Sequence, residues 1–97
     1  MESALVELTE SAIRQNRLDI RACGPSFFPQ DAIGSSSAQG ALGVELTLLP
    51  KGLPEPIKTD IPCDKRSGRP RWIFRKRGWV VPFIKVNSLI PGDRVLI

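Results

Sequence analysis

The sequence predicts a small, mainly β domain, arranged as a β-barrel or a folded sheet with two helical insertions. Short runs of alternating apolar and polar residues recur along its 97 residues, as is typical of half-buried strands. Nine prolines and eight glycines interrupt these runs and favour turns and sheet edges over long helices. With 41% hydrophobic residues, the chain can bury one modest core.

Alternation of apolar and polar residues predicts the strands, and the segments between them are predicted to be helices or polar connections. The predicted strands, in order, are residues 5–9, 18–21, 43–48, 55–61, 72–75 and 94–97. Helical turns are predicted at residues 29–33, where Pro29 suits a helix start and Gly34 a helix stop. Apolar spacing at residues 79–87 predicts a short amphipathic helix. Polar connections are predicted at residues 10–17, 35–40 and 63–71.

The extent of the chain predicts one domain. Residues 1–97 contain no internal repeat and no composition shift of the kind that marks a linker. The last residues, 95–97, are an apolar run within the final predicted strand. We therefore expect a single domain over residues 1–97 that lacks its last strand, as a fragment of a larger protein would.

Basic residues are concentrated in one segment. Residues 65–77 hold seven basic residues and no acidic one, while the other 84 residues hold seven basic and ten acidic. Five of the seven are arginines, whose planar guanidinium groups bind phosphates and guanine edges through two hydrogen bonds. The pattern favours a polyanionic partner; the alternative is an ordinary solvated face.

Residue types that are absent exclude several chemistries. Without histidine, the chain has no Ser-His-Asp or Cys-His site and no histidine-ligated zinc. Cys23 and Cys63 are the only cysteines, too few for a four-ligand zinc site. They are expected to be free thiols, and one disulfide is the alternative. No carboxylate lies two residues before a lysine, and no phosphate loop of the GK[ST] type is present. We therefore expect no catalytic residues, no metal site, no cofactor and no small-molecule substrate in this chain.

The start of the chain does not resemble a targeting signal. It lacks a basic segment followed by a long apolar run. We expect an intracellular, cytoplasmic protein that has no membrane partner.

Several segments together resemble the B3 DNA-binding domain of plant transcription factors and of the recognition domains of bacterial type II restriction endonucleases. The similar segments, in the order of the family, are residues 8–18, Phe28-Pro29, Arg77-Gly78-Trp79, Phe83, Asn87, Leu89 and residues 91–95. Phe27-Phe28-Pro29 and the strand at residues 59–61 are closer in style to the restriction-enzyme branch.

The resemblance implies a seven-stranded open pseudobarrel with two short helices. It also implies two arms that enter the DNA major groove, which fall here on residues 10–17 and on about residues 62–71. The function it implies is sequence-specific binding of double-stranded DNA, as the recognition domain of a bacterial type II restriction endonuclease. A nuclease domain would then lie in the same chain or in a partner chain.

Three groups of residues are the candidate DNA contacts. The first arm offers amide and guanidinium groups that bond base edges: Arg14, Gln15, Asn16 and Arg17. The second arm offers groups for bases and phosphates: Asp64, Lys65, Arg66, Ser67, Arg69 and Arg71. Asp64 is a candidate acceptor for a cytosine amino group. Phosphate contacts, which fix register without reading sequence, are expected from Arg75 and Lys76, while Arg77 binds phosphate or packs beside Trp79.

Other functions remain open on sequence alone. Trp72, Phe74, Trp79 and Phe83 could stack on unpaired bases, which would make the chain an RNA or single-stranded nucleic-acid-binding β-barrel; their spacing also fits core positions. The same duplex-binding surface could serve a transcription factor. A third possibility is a protein-interaction domain whose basic segment docks on an acidic partner.

Overall fold

Two separate antiparallel ribbons and two α-helices form the structure, a computed structural model that describes residues 3–37 and 40–97. In chain order the elements are β1 (Leu5–Glu7), α1 (Glu10–Arg14), 3₁₀ helices at Ile20–Cys23 and Gln30–Ala32, β2 (Leu46–Leu48), β3 (Ile57–Thr59), α2 (Val80–Val86) and β4 (Arg94–Leu96). The loop predicted at residues 35–40 lies partly outside the described residues.

Each ribbon has two short strands. β1 pairs with β4 in the register Leu5↔Leu96, and β2 pairs with β3 in the register Leu46↔Thr59. Among the described residues the two ribbons share no strand. The prediction of a seven-stranded open pseudobarrel is therefore wrong, because the described residues form four strands that close no barrel.

The predicted strand at residues 18–21 does not form; its second half begins the 3₁₀ helix Ile20–Cys23. Its first turn is capped by Asp19, whose Oδ1 accepts a hydrogen bond from the backbone N–H of Arg21 at 3.0 Å. Asp is a preferred residue at this position because its carboxylate satisfies an otherwise unpaired donor. Gly24 ends the helix with a φ of 91°, which glycine adopts at low cost.

The predicted strand at residues 72–75 does not form a ladder. The carbonyl of Trp72 accepts from Ile20 N–H at 2.8 Å, whereas Arg75 N–H donates to the carbonyl of Asp60 at 2.9 Å. Because these bonds go to two different segments, no regular strand results. The predicted strands at residues 43–48 and 55–61 form only at Leu46–Leu48 and Ile57–Thr59. Val44 N–H donates to the carbonyl of Asp31 at 2.7 Å and Ile61 N–H to that of Ala32 at 2.9 Å, and Pro56 has no N–H to donate to a ladder.

The core lies beneath both ribbons and one face of α2. Its largest fully buried side chains are Leu8, Ile20, Ile61, Val6 and Val80. A line of aromatic rings runs through it, in which Phe28 meets Phe74 edge-on at 5.8 Å and Trp79 meets Phe83 at 5.7 Å. The predicted helix at residues 79–87 is confirmed as α2, with Pro82 in its first turn, where a missing N–H costs little. None of the helices in the described ranges has the length and apolar character needed to cross a membrane.

Candidate nucleic-acid interface

Helix α1 places the first group of candidate residues at its C-terminal end. Thr9 caps its start, where Oγ1 accepts from Ala12 N–H at 3.0 Å. The helix ends in a turn in which Asn16 N–H donates to the carbonyl of Ile13 at 3.2 Å and Arg17 N–H to that of Ala12 at 3.0 Å. These two hydrogen bonds form the Schellman motif. Asn16 occupies the position of the motif that requires a left-handed backbone, with a φ of 54°.

The turn gives these four residues different surroundings. The side chains of Arg14, Gln15 and Asn16 are exposed, while Arg17 is half-buried. Gln15 Nε2 donates to Ser11 Oγ at 3.3 Å on the solvent side. Residues 10–17 are thus a short helix and its C-terminal turn rather than a loop arm. Of the four candidate side chains, only that of Arg17 is partly buried.

Residues 63–70 form a tight hairpin loop, called here the basic loop. Its base is an antiparallel bridge between Cys63 and Pro70. Asp64 N–H donates to the carbonyl of Arg69 at 2.7 Å, and Gly68 N–H donates to that of Asp64 at 2.9 Å. Gly68 has a φ of 70°, in the left-handed region that favours glycine.

Asp64 organises the basic loop from within. Its Oδ1 accepts from the backbone N–H groups of Arg66 at 2.8 Å and Ser67 at 2.9 Å. These bonds hold the pKa of the Asp64 carboxyl below its usual range. One oxygen of the carboxylate that was predicted to read cytosine is therefore engaged in holding the turn. The side chains it leaves exposed are those of Lys65, Arg66, Ser67 and Arg69.

Arg75 lies in a different environment from the other candidates. Its Nε lies 2.5 Å from Asp60 Oδ1, and its Nη2 donates to Asp60 Oδ2 at 3.1 Å and to the carbonyl of Ser35 at 2.7 Å. Asp60 is 4% exposed and also accepts from Gly43 N–H at 2.8 Å. Burial by itself raises the pKa of Asp60, but the hydrogen bonds from Arg75 and Gly43 and the Arg75 charge lower it further than burial raises it. The guanidinium of Arg75, a predicted phosphate contact, thus binds Asp60 and Ser35 within the protein.

Lys76 and Arg77 remain exposed. The backbone of Lys76 is fixed, since its N–H donates to Thr59 Oγ1 at 2.9 Å and its carbonyl accepts from Trp79 Nε1 at 2.8 Å. Within the described ranges, one ion pair is present, that of Arg75 with Asp60. The charged groups of the other basic residues in 65–77 therefore have no ion-pair partner in the part of the chain that the structure describes.

A cleft of about 290 Å³ brings the two predicted segments together. Arg17 from the turn after α1 and Arg71, which directly follows the basic loop, both line it. Arg21, which sequence reasoning missed, lines it as well. The sequence carried no reliable signal for Arg21, because the alternation of residues 17–21 is typical of a strand whereas Ile20–Cys23 is a 3₁₀ helix.

The aromatic side chains offer little surface for stacking on bases. Phe74, Trp79 and Phe83 are buried in the core at 3%, 9% and 8% exposure. Trp72 alone among the four predicted candidates is half-buried, and it borders the arginine-lined cleft.

Comparisons of the chain with protein-family models, with curated proteins and with solved structures find no match. The function is therefore argued from the residues and geometry of this chain.

Proposed function

We propose that this chain binds double-stranded DNA and reads its sequence, with the basic loop as the element that enters the major groove. One observation carries the proposal. A narrow loop, closed at its base and fixed internally by Asp64, presents Lys65, Arg66 and Arg69 to solvent. The major groove of B-DNA admits a two-stranded ribbon of this kind.

Charge supports the same assignment. With Arg75 engaged by Asp60, six basic side chains of residues 65–77 remain for an external anion: Lys65, Arg66, Arg69, Arg71, Lys76 and Arg77. If each neutralised one phosphate, log K would fall with log salt at a slope of about −5. Binding should therefore weaken steeply between low and physiological salt.

The burial of the aromatic side chains favours duplex over single-stranded nucleic acid. Proteins that hold single strands commonly expose aromatic rings on which successive bases stack. Here Phe74, Trp79 and Phe83 are packed in the core, which leaves Trp72 as the one half-exposed ring of the four. We infer that charge and hydrogen bonds, rather than stacking, carry the binding.

We further propose a specific role for this DNA-binding surface. The sequence resemblance favours the DNA-recognition domain of a bacterial type II restriction endonuclease, which acts in the cytoplasm beside a nuclease domain. That step rests on the resemblance alone, and a transcription factor is the alternative use of the same surface.

Selection of bound duplexes from a random-sequence library at about 0.15 M salt tests the proposal, because non-specific attraction is then partly screened. We expect a short enriched motif, and weaker binding of single strands than of duplexes. An absence of enrichment, with single strands binding as well as duplexes, would overturn it.

Variants then test which residues read the sequence. Arg66→Ala should reduce affinity for the best site by about 1–3 kcal/mol and relax one position of the motif. Lys58→Ala, an exposed lysine on β3 outside the basic segment, should leave the motif unchanged. Unaltered affinity in both Arg14→Ala and Arg66→Ala would show that the contacts lie elsewhere.

A further inference from the structure

The cleft beside the basic loop gathers three guanidinium groups from two distant segments. Arg17 and Arg21 come from the chain that follows α1, and Arg71 directly follows the basic loop. Within the described ranges, no ion pair or side-chain hydrogen bond engages any of the three guanidinium groups. The cleft is open to solvent, and Arg21 and Arg71 are exposed.

The two carboxylates in the cleft have backbone donors of their own. Asp19 Oδ1 accepts from Arg21 N–H at 3.0 Å, and Asp64 Oδ1 accepts from two N–H groups of the basic loop. The Arg71 charge also helps to lower the pKa of Asp64, although the two side chains form no ion pair or hydrogen bond. The arginines are thus left with donors that the described chain does not satisfy.

Arg17 shows this deficit most clearly. Its Nε is buried and has no hydrogen-bond partner among the described residues. Most buried polar groups in folded proteins are paired, and an unpaired one calls for a partner such as a bound ion. An anion in the cleft would supply acceptor oxygens to the same guanidinium group.

We infer that this cleft binds one phosphodiester group of the DNA backbone, with Arg21 as a ligand beside Arg17 and Arg71. The inference rests on the proposed function for the identity of the partner. Three arginines and two aspartates give the cleft a formal charge of +1, which matches the single negative charge of a phosphodiester. Ser67 also lines the cleft. Its Oγ accepts from Arg69 N–H at 3.2 Å, and its hydroxyl hydrogen-bonds the Asp64 carboxylate, so the arginines are the donors that remain for the phosphate.

Such a contact fixes register rather than sequence. A phosphate held by Arg17, Arg21 and Arg71 would place the adjacent basic loop at a constant position along the groove. The exposed arginines of the loop would then meet the same base pairs each time.

Arg21→Ala tests the inference on the whole chain, with Arg94→Ala as the matched control. Arg94 is an exposed arginine in β4 that does not line the cleft. In Arg21→Ala we expect weaker binding to all duplexes alike, a salt slope reduced by about 1, and an unchanged selected motif. An unchanged slope and affinity, or a relaxed motif, would overturn the assignment of Arg21 to a phosphate. Urea midpoints of both variants check that they fold.

A second measurement does not depend on DNA. The arginine Nε–H signals of ¹⁵N-labelled protein are followed during titration with dimethyl phosphate. The signals of Arg21 and Arg71 should shift while that of Arg94 does not. Shifts without any duplex binding would keep the anion site and reject the proposed function. Duplex binding without these shifts, and with an unaffected Arg21→Ala variant, would reject the site and keep the function. Stronger binding to phosphatidylglycerol vesicles than to duplex would reject nucleic acid as the source of the phosphodiester.

Discussion

Arg75 and Asp60 form a two-point ion pair in which Nε lies 2.5 Å from Oδ1 and Nη2 lies 3.1 Å from Oδ2. The backbones of the same residues are also joined, since Arg75 N–H donates to the carbonyl of Asp60 at 2.9 Å. The segment between them contains the whole basic loop. The pair therefore joins the two ends of the segment that contains the basic loop.

Replacing Asp60 by alanine should destabilise the fold strongly. Arg75 would lose its carboxylate partner in a site where its side chain is 18% exposed, and breaking a buried pair costs about 3–5 kcal/mol. Urea unfolding monitored by tryptophan fluorescence measures the change. The exposed Glu55→Gln is the control and should stay within about 0.5 kcal/mol of wild type. A loss below about 1 kcal/mol for Asp60→Ala would mean that the pair contributes no more than a surface ion pair.

Stability should fall in acid but not near neutral pH. The pKa values of Asp60 and Asp64 are both lowered in the folded state, so the unfolded chain takes up protons first as pH falls. The stability they contribute is present above their unfolded pKa, near pH 4, and is lost as pH falls through the lowered folded values. Because the chain has no histidine, we expect a flat free energy of unfolding between about pH 5 and pH 8.

Urea titrations at a series of pH values measure this dependence. Asp60→Asn should show a shallower decline below about pH 4 than wild type, since one of the two carboxyls no longer titrates. A midpoint that falls already between about pH 7 and pH 5 would point to a group other than these two.

Gly68→Ala should strain the tip of the basic loop. Gly68 has a φ of 70° and open space around it, so the cost comes from the backbone rather than from a clash. We expect a loss of about 1 kcal/mol of stability together with weaker duplex binding. Gly78→Ala is the matched control, because a Cβ there also meets open space and no positive φ is required. Equal effects of the two substitutions would show that the left-handed conformation of the loop is not what matters.

Thr9→Ala should loosen the helix that positions Arg17. The variant loses the 3.0 Å bond from Ala12 N–H to Thr9 Oγ1, and loss of such a cap costs about 1 kcal/mol. We expect a lower urea midpoint and weaker protection of the Ala12 amide from hydrogen exchange. Ser11→Ala, at an exposed position inside α1, should not weaken this protection because alanine favours the helix. Unaltered exchange at Ala12 in Thr9→Ala would contradict the cap.

Local patterns predicted much of the secondary structure. Alternation identified the strands that became β1 to β4, and apolar spacing identified α2. Residues 18–21 were predicted wrongly because Leu18 and Ile20 alternate with polar residues as they would in a strand, although the chain turns into a 3₁₀ helix at Ile20. Residues 72–75 have strand-like composition, but their hydrogen-bond partners, Ile20 and Asp60, are distant in sequence. The apolar and polar pattern of a segment does not reveal which distant segments will form hydrogen bonds with it.

Only part of the candidate site was predicted, because the rest depends on contacts between segments that are distant in sequence. The dense charge of residues 65–77 marked the basic loop directly. The ion pair of Arg75 with Asp60 and the arrival of Arg21 at the cleft depend on tertiary structure. The sequence alone therefore identified a basic segment, but it did not show which of its basic side chains forms an ion pair within the protein.

The pairing of β1 with β4 also sets an order of events during folding. Leu5 lies opposite Leu96, and Leu8 N–H donates to the carbonyl of Asp93 at 2.8 Å. Residues from the two ends of this 97-residue sequence must therefore meet before this ribbon exists. Closing so long a loop is entropically costly, and distant contacts slow folding. On the ribosome β1 emerges before β4, so the ribbon can close only after the whole segment between these two strands has been translated.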